Sequence, residues 1–120
     1  MNPDGSDQEI YTRSADAINT HPVWSIDGEM ILFNQVESDG SPPYIVAVSY
    51  KDGVYSEFRY ATWPVKDARY SPDGLWLVFE SWPRGLNHDI YIMSASGAAR
   101  TQLTNWERLD FDPAWRPALP

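Results

Sequence analysis

The chain repeats itself, and that limits what it can fold into. Val23-Trp24-Ser25-Ile26-Asp27-Gly28-Glu29-Met30-Ile31-Leu32-Phe33 returns as Arg69-Tyr70-Ser71-Pro72-Asp73-Gly74-Leu75-Trp76-Leu77-Val78-Phe79, and Ala114-Trp115-Arg116-Pro117 starts a third copy. Trp24, Tyr70 and Trp115 stand 46 and 45 residues apart. A period of about 45 residues marks a stacked array or propeller, in which no single unit buries its own apolar face. Function is then to be sought on the surface of an array and not in a catalytic pocket.

Within each unit the signals are those of strands. Leu75-Trp76-Leu77-Val78-Phe79-Glu80 is a short apolar run bounded by turn residues, and Met30-Ile31-Leu32-Phe33 has the same shape. Neither shows the i, i+3, i+4, i+7 recurrence of an amphipathic helix. A strand apolar on both sides is covered on both faces, as blades are when they pack between neighbours. Asp27-Gly28 and Asp73-Gly74 sit between such runs, and Asp-Gly tolerates the positive φ of a tight hairpin. Lys51-Asp52-Gly53 and Ser96-Gly97 supply a second set of turns. The spacing predicts four antiparallel strands per unit: about 21–25, 29–36, 43–50 and 54–60, then 67–71, 75–81, 88–94 and 99–104. No segment reads as a helix.

The ends are near-copies of each other. Met1-Asn2-Pro3-Asp4-Gly5 resembles Met93-Ser94-Ala95-Ser96-Gly97, and Pro22-Val23-Trp24 resembles Pro113-Ala114-Trp115. The expected organisation is the last strand of one blade and a connector over 1–20, blade one over 21–66, blade two over 67–112, and the first strand of a following blade over 113–120. The expected fold class is all-β, a β-propeller segment of four-stranded antiparallel blades with about two full blades and partial blades at both ends.

Composition narrows the functional classes. Of 120 residues 42% are hydrophobic, with six Trp and seven Tyr, so the chain is neither disordered nor of low complexity. A net charge of −8 repels both the nucleic-acid backbone and anionic membranes. No apolar run approaches the roughly 18–20 residues needed to span a bilayer. The absence of Cys excludes disulfides, thiolate nucleophiles and Cys-based zinc sites. The acidic, polar start, Met1-Asn2-Pro3-Asp4-Gly5-Ser6-Asp7, is unlike a secretory signal, which implies either a cytoplasmic chain or a mature or excised piece.

Asp112-Pro113-Ala114-Trp115, Ser71-Pro72-Asp73-Gly74, Asp89-Ile90-Tyr91-Ile92-Met93 and Leu103-Thr104 together resemble the WD-like repeat of TolB-type β-propellers. Blade two matches almost throughout. Blade one departs, with Ile26 in place of the turn Pro, His21 in place of the Asp, and Tyr44 where Asp89 stands. The resemblance implies four-stranded blades around a central channel, most often six in a ring, and a family that is commonly periplasmic. Three copies of a two-bladed chain are one way to supply six blades; further blades on a longer chain are another. The resemblance also sets up a rival reading, the propeller portion of a serine oligopeptidase or of a metal-dependent lyase whose catalytic residues lie outside the chain.

Little here points to chemistry. His21 and His88 fall at different points of the repeat and form no metal-binding spacing, so they read as loop or strand-edge residues. Asp27, Asp67, Asp73, Asp89 and Asp112 recur with the repeat, which favours structural work: carboxylates accept backbone N–H bonds in turns, and Asp67 and Asp112 are expected to anchor the connection between blades. No Gly-x-Ser-x-Gly elbow is present. Trp24, Tyr70 and Trp115 are expected to pack between blades. Trp63, Trp82 and Trp106 fall in connections, where loops on a rigid scaffold carry binding. The expected protein is therefore non-enzymatic, with no cofactor and no metal, a scaffold or protein-binding module. Its binding residues are expected to be Trp82, Arg84, Asn87, Trp106 and Arg108. Open apolar blade faces and unpaired strand edges add an expectation of self-association as a homo-oligomer, without nucleic acid and without membrane insertion.

Overall fold

A computed structural model describes residues 3–6, 8, 16–51, 54–60, 64–83, 85, 87–105, 110 and 112–117. Its eight strands form two four-stranded antiparallel sheets. Blade one runs β1 (Ala17–Trp24), β2 (Met30–Glu37), β3 (Tyr44–Lys51) and β4 (Val54–Arg59) in spatial order. Blade two repeats this with β5 (Lys66–Tyr70), β6 (Trp76–Ser81), β7 (Asp89–Ser94) and β8 (Thr101–Gln102). Among the described residues no helix is long and apolar enough to cross a membrane. The strand at the amino-terminal end falls largely outside the described residues. Among residues 112–117 no ladder is formed.

The predicted strands are present, with two shifts. β1 begins at Ala17 and not near 21, because Ala17–Thr20 pair with Glu37–Asn34 although their side chains lack an apolar pattern. β8 shrinks to two residues, Thr101 and Gln102, paired with Ile92 and Tyr91. The Asp-Gly hairpins form, but by a longer loop than a two-residue turn. Gly28 N–H donates to Ser25 O at 2.9 Å, Ser25 N–H donates to Met30 O at 2.9 Å, and positive φ falls on Gly28 alone (73°). Asp27 closes the loop from the side, accepting Ser25 Oγ–H at 2.5 Å and Glu29 N–H at 3.0 Å. Asp73 does the same for Ser71 at 2.5 Å and Leu75 at 3.0 Å, and these bonds hold its carboxyl below the ordinary range. The turn aspartates are thus structural, as their recurrence implies.

The core is the seam between the sheets. Leu32, Ile45 and Ala47 of blade one meet Leu77, Phe79, Tyr91 and Met93 of blade two, with Val65 and Ala68 between them. Tyr60 latches the seam: its phenol donates to Ala95 O at 2.6 Å, and its ring lies where a Cβ on Gly97 would come within 3.1 Å. Burial pushes the Tyr60 hydroxyl above the ordinary phenol range.

Two apolar faces were expected to lie open, and one of them does not. On the side of blade one away from blade two, Phe33, Tyr44, Val46 and Val48 form a second cluster, each no more than 6% exposed. The far side of blade two is less well covered, with Trp76 40% exposed and Ile90 and Ile92 half-buried. Trp24, expected to pack between blades, is 60% exposed. The reason lies in direction. Tyr70 leans back onto blade one, and the Trp115 indole N–H donates back to Arg69 O of β5 at 2.9 Å. Trp24 points the same way, opposite Ile31 and away from blade two.

Candidate functional site

A left-handed residue recurs on the inner strands. His21, Asp67 and Asp112 have φ of 54°, 56° and 54°, and they stand at matching repeat positions. Asp and His are among the residue types that tolerate this conformation. In β1 and β5 the residue makes a bulge: register shifts between Thr20 and Val23, and between Lys66 and Arg69. The bulge turns a polar side chain out of the ladder and toward the neighbouring blade.

At the seam inside the chain that side chain is met by a matching one. Asn34 of β2 donates through Nδ2 to Asp67 Oδ1 at 2.9 Å and accepts Asp67 N–H through Oδ1 at 2.9 Å, both residues being buried. The carboxamide satisfies a carboxylate and a backbone donor at once, so Asp67 anchors blade two on blade one as expected. His21 stands beside them, with Nδ1 3.4 Å from Asn34 Nδ2 and 3.7 Å from Asp67 Oδ1, and its side chain is 57% exposed.

The next seam lacks this match. Glu80 of β6 falls 46 residues after Asn34 and is fully buried. Its Oε1 is bonded to His88 Nδ1 and lies 3.6 Å from Lys66 Nζ, while Oε2 has no hydrogen-bond partner among the described residues. Asp67, Glu80 and Asp112 each bring a carboxylate oxygen within 4.8 Å of the others. This all-oxygen set could hold a hard divalent cation; Lys66 supplies countercharge from within the chain.

Two of the expected binding residues, Trp82 and Asn87, lie at the same end of blade two. Trp82 stacks on His88, ring centroids 4.0 Å apart and planes 4° from parallel. Asn87 Nδ2 donates to Asp89 Oδ2 at 3.2 Å, and Asp89 also accepts from Gln102 and Thr104, fastening the outer strand. Arg84, Trp106 and Arg108 lie outside the described residues. The structure thus brings Trp82 and Asn87 to one end of blade two and joins Trp82, through His88, to buried Glu80. Asn34 and Glu80 did not stand out in the sequence. Their repeat mismatch, Asn against Glu at one position, was the available signal.

No protein-family model matches the chain. It is 32% identical over 115 residues to the Tol-Pal system protein TolB of Anaeromyxobacter dehalogenans strain 2CP-1, and 31% identical to that of Anaeromyxobacter sp. strain K. Each alignment covers 93% of this chain and 25% of the relative, so the chain spans about a quarter of the length of these proteins. The crystal structure of TolB from Acinetobacter baumannii shares the fold, with a TM-score of 0.66 and 24% identity over 86% of this chain and 25% of that one. With its all-β architecture and its repeated turns, this chain is similar in sequence and in fold to part of a TolB β-propeller.

Proposed function

We propose that the chain is a non-catalytic scaffold that binds protein partners through the loop end of blade two. The observation that carries this is the Trp82–His88 stack, a half-buried indole held flat beside the acidic inner-strand cluster. A rigid aromatic with a charged rim is the usual anatomy of a protein-binding hot spot. The relatives are named as Tol-Pal system proteins, which supports a partner from such a system. The two histidines are committed to Glu80 and to the Asn34–Asp67 pair, which favours a structural over a catalytic role for both. Exposed blade surfaces leave room for a second copy of the chain as well.

Calorimetric titration of the chain with the purified Pal protein of Anaeromyxobacter dehalogenans tests the reading. Saturable binding is expected, weakened about tenfold or more by Trp82→Ala, with circular dichroism confirming that the variant keeps its sheets. Absence of binding, or binding indifferent to Trp82, overturns it.

A further inference from the structure

The slot that Asp112–Trp115 occupies on blade two is chemically mismatched to its occupant. Trp115 fits: its indole N–H reaches Arg69 O at 2.9 Å. Asp112 does not, because it brings a carboxylate against buried Glu80, whose Oε2 lacks a hydrogen-bond partner among the described residues, and against Asp67. At the equivalent place one seam earlier, Asn34 meets Asp67 with two hydrogen bonds. Lys66 and His88 both reach Oε1, so Oε2 stays unpaired on the side of the Asp112 carboxylate, and such a buried unpaired oxygen costs more than an exposed contact returns.

The chain carries a better-matched occupant elsewhere. His21-Pro22-Val23-Trp24 repeats Asp112-Pro113-Ala114-Trp115 position for position, with a basic residue in place of the acidic one. His21 shares the left-handed backbone of Asp112, φ 54° in both. Its side chain is 57% exposed, and Trp24 is 60% exposed. Trp76 and the half-buried Ile90 and Ile92 leave apolar area beside the slot. We propose that a second copy of the chain docks head to tail there, its His21–Trp24 segment displacing Asp112–Trp115, with His21 donating to Glu80 Oε2 and Trp24 to Arg69 O.

The proposal rests on reading the sheets as propeller blades with protein-binding surfaces, but it uses residues other than Trp82. The contact is heterologous, so it closes into a ring or extends as a filament according to its rotation. The net charge of −8 on each copy opposes approach at low ionic strength, and physiological salt screens that repulsion beyond about 8 Å.

The chain has no Cys, which permits site-directed cross-linking. Inside the chain Ile26 Cβ lies 3.4 Å from a Cβ placed on Gly74. The matching pair across two head-to-tail copies is Pro72 of the acceptor and Gly28 of the donor. Pro72→Cys and Gly28→Cys chains, mixed and oxidised at physiological salt, are expected to give a disulfide-linked dimer containing one of each, about tenfold above either variant alone. His21→Asp in the Gly28→Cys chain is expected to reduce that yield about tenfold. Glu80→Asn together with Asp112→Ala in the Pro72→Cys chain then restores it, by recreating the Asn34–Asp67 pairing between copies while removing the internal aspartate that would otherwise take that place. A mixed yield no greater than that of the single variants overturns head-to-tail docking. A yield unmoved by His21→Asp, or not rescued by Glu80→Asn with Asp112→Ala in a folded chain, overturns the His21–Glu80 contact. None of these outcomes bears on the Trp82 titration, so the two readings fail separately.

Discussion

Asn34 and Asp67 form a buried pair in which neither side chain is replaceable alone. Asn34→Leu would strand the Asp67 carboxylate and its N–H in the seam, and is expected to cost about 3 kcal/mol in urea unfolding. Asn34→Asp would set two carboxylates together, as Glu80 and Asp112 are, and its stability should recover as the pH falls. Asp73 acts in the opposite direction. Its carboxyl is held below the ordinary range by Ser71 and the Leu75 N–H, so the stability it adds is present above the unfolded carboxylate value and is lost as pH falls through the folded one. Asp73→Asn should therefore flatten the acid limb of a urea midpoint against pH profile, most visibly below the ordinary carboxylate range. A limb as steep as that of the parent would show that the turn contributes nothing through its charge.

At the level of elements, the hairpins were legible because Asp-Gly between apolar runs has few other outcomes. What the pattern concealed was the loop length, since Ser25 and Asp27 close a wider turn through side-chain bonds that no spacing rule encodes. The inner-strand bulges were hidden for a similar reason. His21 was visible as a departure from Asp at its repeat position, yet only the backbone shows that both residues serve one left-handed geometry. The Trp82–His88 stack was equally out of reach, because it joins two residues across a loop on the strength of their rings alone. Two glycines separate conformation from packing. Gly28 has φ of 73° and open space around it, whereas Gly97 has φ of 93° with the Tyr60 ring 3.1 Å from an added Cβ. Gly28→Ala should cost about 1 kcal/mol from backbone strain, and Gly97→Ala more, because Tyr60 must also give way. Equal losses in thermal or urea denaturation would mean that the Tyr60 latch is slack.

Across the whole molecule, the seam is where the repeat becomes a protein. Leu32, Ile45, Leu77, Phe79 and Met93 come from both sheets and are almost wholly buried by one another, so neither sheet keeps its core without the other. The described blades should accordingly unfold in one transition, and Leu77→Ala should lower its unfolding free energy by about 2–5 kcal/mol without splitting the transition. Two separated transitions would show that each sheet stands alone. The period announced this dependence between units, but which faces lay open was not legible. Repetition predicts equal faces, while the Phe33–Val48 cluster is closed and the Trp76 side is not. Tyr60 gives the seam one more property. Its phenol is buried against Ala95 O and ionises less readily than a free tyrosine, so the stability it contributes fades as the solution turns alkaline. Hydroxide is thus a wedge aimed at the joint between the blades, and the part of the delayed phenolate absorbance that Tyr60→Phe removes, apart from that of Tyr44, Tyr55 and Tyr70, would time their parting.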